Sequence, residues 1–190
     1  MCWGLQQLTD RLHGQSLYLR LSTRPITQAV RHSTPEWRRQ VLAGGYWLRD
    51  YRQQPDYTQR PRVHLFASGV MLEEALQASD MAAEDGIYAN VINVTSADRL
   101  FRAYVAASQQ GTMSYLDELL PAAERHVPVI TLLDGHPLTL AWLGALFNAP
   151  LKPLGVMNFG ETGSLQQLYH KHHIDTEAVL TAIVQVLYRR

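Results

Sequence analysis

The sequence VHLFASGVMLEE at residues 63–74 predicts a strand, a turn and a helix in succession. Residues 62–67 form a mainly apolar run, which is typical of a buried strand. Ser68 and Gly69 are the small residues of a tight turn. A helix is predicted over residues 70–83 because apolar and small side chains recur there at helical spacing. Its predicted buried face consists of Leu72, Ala75, Leu76, Ser79 and Ala83.

The same succession of strand and helix continues to the C-terminus. Apolar runs predict further strands at residues 88–94, 127–133 and 152–157. Helices are predicted at residues 98–107, 116–123, 138–147, 165–170 and 176–187. Because strands alternate with helices, the predicted fold class is α/β: a three-layer α/β/α sandwich with a mainly parallel sheet of about five strands.

The first 62 residues are less regular than the rest. Their predicted elements are a helix at 2–12, a strand at 16–21, a helix at 36–42, a strand at 46–51 and a linker at 53–61. Leu5, Leu8 and Leu12 define the apolar face of the first helix. Pro35 is suited to the first turn of the second.

Composition indicates one folded domain. The chain has 190 residues, of which 46% are hydrophobic and 18% charged, and these values exclude a disordered protein. No apolar run approaches the roughly 20 residues that span a bilayer. A single cysteine, Cys2, allows no internal disulfide and favours the cytoplasm.

Charge is segregated along the chain although the formal net charge is zero. Residues 1–62 hold ten arginines and four acidic residues, a charge of +6, and residues 63–190 hold seven basic and thirteen acidic residues, a charge of −6. The two parts are expected to attract each other or to meet different partners. Nucleic acid is not an expected partner, because the arginines are dispersed and no recognition or stacking motif accompanies them.

Three segments carry a resemblance to a known family. They are LFASGVMLEEALQAS at residues 65–79, VINVTSADRLF at 91–101, and the long tail at 127–180 that contains LLDGHPLTLAWLGALF and VMNFGETGS. Together they resemble the C-terminal domain of thiamine-diphosphate-dependent enzymes of the transketolase and homodimeric pyruvate dehydrogenase first-component family. The tail is the most specific of the three and is similar to the pyruvate dehydrogenase branch. SLYLRLSTRPITQ at 16–28 resembles the chain that leaves the pyrimidine-binding domain of these enzymes.

The resemblance implies a domain plan and a function. Residues 1–62 would be the remnant of the pyrimidine-binding domain plus a linker, and residues 63–190 the transketolase C-terminal-like domain. The parent enzyme would decarboxylate a 2-oxoacid on thiamine diphosphate with magnesium. No GDG…N diphosphate motif occurs in the sequence, so these ligands are not carried over, and the chain is expected to be a dimerisation and scaffolding domain that is not catalytic alone.

Two other classes of function remain open. The first is an autonomous small-molecule or nucleotide-binding module on the same fold. The second is an interaction subunit that pairs with separate catalytic chains or with upstream thiamine-binding domains. Neither a membrane nor a nucleic acid is expected as a partner.

Four residues are the candidates for a ligand or interface loop. Ser68 and Gly69 precede a helix, whose free N–H groups attract anions, but a tight turn with Ser68 as helix cap is the favoured explanation of the pair. Asp134 and His136 follow a predicted strand, where α/β sheets place ligands. They could share a proton or orient a substrate, or they could cap the next helix.

An interface is predicted at the helix over 138–147, which is apolar almost all round. Trp142, Phe147 and the nearby Phe159 are the candidate contacts of a homodimer. No metal site is predicted. His170, His172 and His173 do not share one helical face, and no second ligand cluster completes a tetrahedral set.

Overall fold

The computed structural model describes residues 2–14, 16–23, 25–26, 33–158 and 160–188. The strands are Gly45–Arg49 (β1), Arg62–Ala67 (β2), Tyr88–Val94 (β3), Val129–Leu132 (β4) and Leu151–Leu154 (β5). The α-helices are Cys2–Thr9 (α1), Pro35–Ala43 (α2), Leu72–Glu84 (α3), Ala97–Gln110 (α4), Tyr115–Leu119 (α5), Leu138–Ala141 (α6), Leu165–Lys171 (α7) and Thr176–Tyr188 (α8). Short 3₁₀ turns occur at Tyr57–Gln59, Gly69–Met71, Ala122–His126 and Trp142–Ala145.

The five strands form one mixed sheet in the order β1-β3-β2-β4-β5. β1 is antiparallel to β3, and the other neighbours are parallel. Leu65 in the central strand pairs with Val91 on one side and Ile130 on the other. The prediction of a mainly parallel sheet of about five strands is confirmed.

Helices cover both faces of the sheet, as the α/β/α prediction requires. Side chains alternate along each strand, so Leu65 packs among the residues of α3 and α8 whereas Phe66 packs among those of α4, α5 and α6. Both side chains are almost completely buried. Doubly covered strands need apolar residues on both faces, which explains why β2 and β3 could be predicted to the residue.

The buried face of α3 differs slightly from the predicted one. Its fully buried residues are Ala75, Ala78, Ser79 and Ala82. Leu72 and Leu76 lie at the margin of the core. Small residues line the contact because α3 packs closely on both the sheet and α8.

Two predictions for the N-terminal part are wrong. Residues 16–21 form no strand. α1 ends at Thr9 instead of residue 12, because the Asp10 carboxylate accepts hydrogen bonds from the backbone N–H of Leu12 (3.0 Å) and His13 (2.9 Å) and closes a turn there. The predicted linker at 53–61 contains a 3₁₀ turn and one buried residue, Tyr57. The sheet and its core begin upstream of residue 63, because β1 pairs with β3.

The apolar segment at 138–147 is not one helix. α6 ends at Ala141, and a 3₁₀ turn follows. Its burial is one-sided: Leu140 and Leu143 are fully buried, whereas Leu138 is 70% exposed. In the described part of the chain, no helix has the length and apolar character that crossing a membrane requires.

Candidate functional site at the carboxyl edge of the sheet

Two of the predicted loops meet at one point of the sheet. β2 lies between β3 and β4. The chain leaves β2 through α3 on one face to reach β3, and it leaves β4 through α6 on the other face to reach β5. The connections therefore diverge between β2 and β4, where open α/β sheets form a crevice outside the carboxyl ends of the strands. Ser68–Gly69 follows β2, and Asp134–Pro137 follows β4.

Ser68 is held by the neighbouring strands. Its hydroxyl donates to the Val94 carbonyl (3.0 Å), and its N–H donates to the Leu132 carbonyl (3.1 Å). It makes no side-chain cap to the 3₁₀ turn that follows, so its expected capping role is wrong, because the hydroxyl is already engaged at the end of β3. Gly69 has a φ of +62° and open space where a side chain would be, and this left-handed conformation explains the glycine.

Asp134 and His136 are engaged separately. The guanidinium Nη2 of Arg20 lies 3.1 Å from Asp134 Oδ2 and donates to the Asp134 carbonyl at 3.1 Å. His136 Nδ1 accepts from the N–H of Leu138 at 3.3 Å, at the start of α6, whose N-cap is Pro137. His136 thus contacts the first turn of α6, and the two predicted roles of this residue, in a ligand site or as a helix cap, stay predictions.

The floor of the crevice is tightly packed backbone. The N–H of Val156, just after β5, donates to the Gly135 carbonyl at 2.9 Å. A Cβ at Gly155 would lie 2.5 Å from that same carbonyl oxygen, so only glycine fits there. A surface groove of about 320 Å³ lies elsewhere, between the C-terminal end of α3 and α8. The loops that line the crevice are therefore held to one another by hydrogen bonds and close backbone packing.

A second polar cluster, at the opposite end of the sheet, was missed by the sequence reasoning. His64 on β2 is completely buried, and its Nε2 lies 3.1 Å from Glu124 Oε2. The Tyr57 hydroxyl donates to the same carboxylate oxygen at 2.7 Å. Asn90 on β3 donates to the Tyr57 oxygen at 3.0 Å and lies 3.4 Å from His64 Nδ1. We call these four residues the His64 cluster.

The electrostatics of the His64 cluster follow from its burial. Burial, which Glu124 only partly offsets, lowers the pKa of His64 below its ordinary 6.5. The imidazole is therefore neutral at pH 7, with Nδ1 facing the Asn90 amide and Nε2 facing Glu124. Burial also opposes ionisation of Glu124, but contacts with His64 and the Tyr57 hydroxyl outweigh it and lower the pKa of that carboxyl. Burial and the Glu124 carboxylate raise the pKa of Tyr57.

Polar residues inside an apolar strand are the one sequence signal for this cluster. His64 and Asn90 interrupt the apolar runs of β2 and β3. Tyr57 and Glu124 come from distant 3₁₀ turns, and no spacing in the sequence connects them. The cluster joins two strands to two 3₁₀ turns at the amino end of the sheet. Buried polar groups generally need a polar partner, which explains why these side chains lie together.

The side chains that could act as metal ligands in the described residues are not arranged to hold a magnesium–diphosphate group. Within the described ranges, no three or more His, Cys, Asp or Glu side chains are grouped so that they could hold a metal ion. The histidines of α7 and the following turn contact acidic residues: His170 Nδ1 lies 2.9 Å from Asp175 Oδ2, and His172 Nε2 lies 3.2 Å from Glu161 Oε2. No step of a thiamine reaction is therefore assigned to these residues.

The three predicted interface residues have different surroundings. Trp142 packs edge-on against Phe101 (5.1 Å between ring centroids) and stacks on Tyr104 (5.9 Å). Its partner Phe101 is 43% exposed. Phe147 is buried in the core of its own domain against Phe66. Phe159 lies outside the described residues.

Comparison with known proteins agrees with this architecture. The family model described as the transketolase-like C-terminal domain matches residues 44–175. The chromosomal transketolase of Cupriavidus necator is 31% identical over 153 residues, which is 80% of this chain and 20% of that protein. The chain thus spans about a fifth of the length of that curated relative.

Solved structures show the same fold at low sequence identity. A transketolase from Pichia stipitis superposes on 78% of this chain with a TM-score of 0.57 and 17% identity, over 18% of its own length. A split-gene transketolase, described as an inactive beta4 tetramer, matches 76% of this chain and 42% of its own, with a TM-score of 0.51 and 21% identity. The family match begins at residue 44, just before β1, and runs through the sheet to the start of α8. With that match and a relative above 30% identity, the chain belongs to the transketolase family, through its C-terminal domain.

Proposed function

We propose that this chain is the dimerisation and scaffolding domain of a thiamine-diphosphate-dependent enzyme and is not catalytic alone. The observation that carries the proposal is the family match to the C-terminal domain, since the transketolase family depends on thiamine diphosphate. The residues of the carboxyl-edge crevice support it, because Ser68, Asp134 and His136 are engaged in contacts that order the fold. Catalytic groups would come from other domains or chains.

The parent reaction is proposed to be of the transketolase type, because the relatives compared above carry that name. The pyruvate dehydrogenase branch remains the second candidate, on the resemblance of residues 127–180. Both branches predict that the chain alone releases no carbon dioxide from pyruvate. The single cysteine keeps the cytoplasm as the proposed location.

The proposed domain boundary lies near α2. β1 is part of the sheet, and the family match starts at residue 44. We therefore assign the remnant of a preceding domain and its linker to the residues upstream of α2. Partner chains that carry thiamine-binding domains are proposed to contact this region, and a split-gene transketolase makes such a division of chains a precedent.

The proposed dimer contact is the exposed rim around Trp142. Leu138 and Phe101 are exposed apolar residues, and Trp142 packs against Phe101. Large aromatic residues at the centre of an interface commonly contribute about 2 kcal/mol or more each to association. Phe147, which is buried in its own core, is left out of this contact.

Sedimentation tests the dimer contact. Trp142→Ala is expected to shift the protein toward monomer while far-UV circular dichroism stays unchanged. Met113→Ala, which truncates an apolar side chain that is 81% exposed in the loop between α4 and α5, is the matched control and should leave the dimer intact. A wild-type monomer at high concentration would contradict the proposal, and so would a Trp142→Ala protein that unfolds.

A further inference from the structure

Residues 2–14 and 16–23, which we call the N-terminal arm, are a small unit with a largely exposed surface. α1 and the segment after it pack on each other: Gly4 is buried, and a Cβ there would collide with Leu17. Leu5 and Leu8 on α1 and Leu12 in the turn after it are all more than half exposed. Apolar burial therefore contributes little to holding the arm in place.

Arginines make two of the contacts that join the arm to the domain. Arg20 reaches from the segment 16–23 to the carboxylate and the carbonyl of Asp134. At the other end of the arm, the guanidinium of Arg99 on α4 lies 4.4 Å from the centre of the Trp3 ring. Arg20 and Asp134 are 56% and 33% exposed, so water and ions reach this pair.

Arg20 lies at the carboxyl-edge crevice. Asp134 follows β4 at the point where the chain connections diverge. The next residue is Gly135, where a Cβ would lie 3.3 Å from Arg20 Nη1. The absence of a side chain at Gly135 lets the guanidinium approach the backbone of this loop. The arm therefore contacts one side of the crevice, the loop that follows β4.

We infer that the arm is a displaceable strap on the loop that follows β4, latched by Arg20 on Asp134. An arginine–carboxylate pair at this exposure is weak and is screened by salt. The charges of +6 upstream and −6 downstream of residue 62 favour the closed position. Opening frees the carboxylate of Asp134 at the edge of the crevice. This inference does not depend on the identity of the parent enzyme.

Limited trypsin digestion of the full chain measures the latch directly. Trypsin cleaves after arginine, so a guanidinium held by Asp134 is protected, whereas Arg11, on the same arm, is an internal reference. In Asp134→Asn, cleavage after Arg20 relative to Arg11 is expected to rise roughly 5-fold, as for the loss of one exposed ion pair. Raising NaCl should increase the ratio in the wild type and leave the variant unchanged.

Two further variants complete the design. Gly135→Ala should raise the same ratio, because its methyl group crowds the guanidinium. Asp98→Asn is the matched control: it removes a carboxylate that pairs with Arg102 on α4 and should leave the ratio at the wild-type value. Circular dichroism checks that each variant is folded. A ratio that is insensitive to Asp134→Asn and to salt overturns the inference.

Discussion

Single residues in the middle of strands carry the polar chemistry of this domain. His64 and Asn90 occupy positions that a doubly covered sheet normally gives to apolar residues. They are tolerated because Glu124 and Tyr57 supply partners within 3.4 Å. A buried polar group without a partner costs about 1–3 kcal/mol, so removing one member of the His64 cluster also penalises those that remain.

The His64 cluster predicts a stability that falls on acidification. The pKa of His64 is lowered on folding, so the unfolded chain binds more protons once the pH drops through 6.5. The pKa of Glu124 is lowered below 4.5, so its contribution is lost at still lower pH. Urea unfolding should therefore show a loss on the order of 1–2 kcal/mol between pH 7 and pH 5.

His64→Asn is expected to reduce that slope and to destabilise the domain at pH 7. His126→Asn, at an exposed position of the same 3₁₀ turn as Glu124, is the matched control and should retain the wild-type slope. An unchanged slope in His64→Asn would show that other groups cause the acid sensitivity.

At the level of elements, the strands that are most deeply buried are the ones whose limits the sequence predicts best. β2 and β3 are central strands covered on both faces, and their predicted limits are confirmed to the residue. Residues 16–21 have the alternating pattern of a strand but no strand neighbour in the structure. A pattern reports which side chains can be buried, and pairing decides whether the strand forms. Ser68 and the loop after β4 lie at the same edge because β2 and β4 are parallel neighbours, and this could be expected from the sequence. The contact of Arg20 with Asp134 joins residues 114 positions apart, and no sequence pattern predicts it.

The packing of α3 against α8 gives a prediction for an element. Ala78 on α3 is completely buried, so Ala78→Leu is expected to destabilise the protein by about 1–3 kcal/mol through overpacking. Urea unfolding measures this difference. Ala106→Leu places the same side chain at an exposed position of another helix, α4, and should change the stability by less than about 0.5 kcal/mol. Equal effects of the two substitutions would argue against close packing of α3.

At the scale of the whole molecule, the segregated charges meet across the predicted boundary. Three arginines of the first 62 residues contact carboxylates of the remainder; the pairs are Arg20–Asp134, Arg39–Glu118 and Arg49–Asp80. These three pairs agree with the expectation that the two parts attract each other. β1 joins the upstream part to the sheet through hydrogen bonds, whereas the N-terminal arm has no strand pairing.

Hydrogen exchange should separate these two regions. Amides of the N-terminal arm are expected to exchange fast, because the arm opens without unfolding the sheet. Amides of β2 and β4 should exchange slowly, and those of β1 should follow the sheet. Uniform protection from residue 2 to residue 188 would mean that the arm and the sheet form one cooperative unit.

The central claim is that this domain supports a thiamine-dependent enzyme without holding its cofactor. Calorimetric titration of the purified chain with thiamine diphosphate and magnesium tests it most directly, because a diphosphate–magnesium site needs specific oxygen ligands. The account predicts no saturable heat of binding. Saturable binding with a micromolar dissociation constant would contradict it.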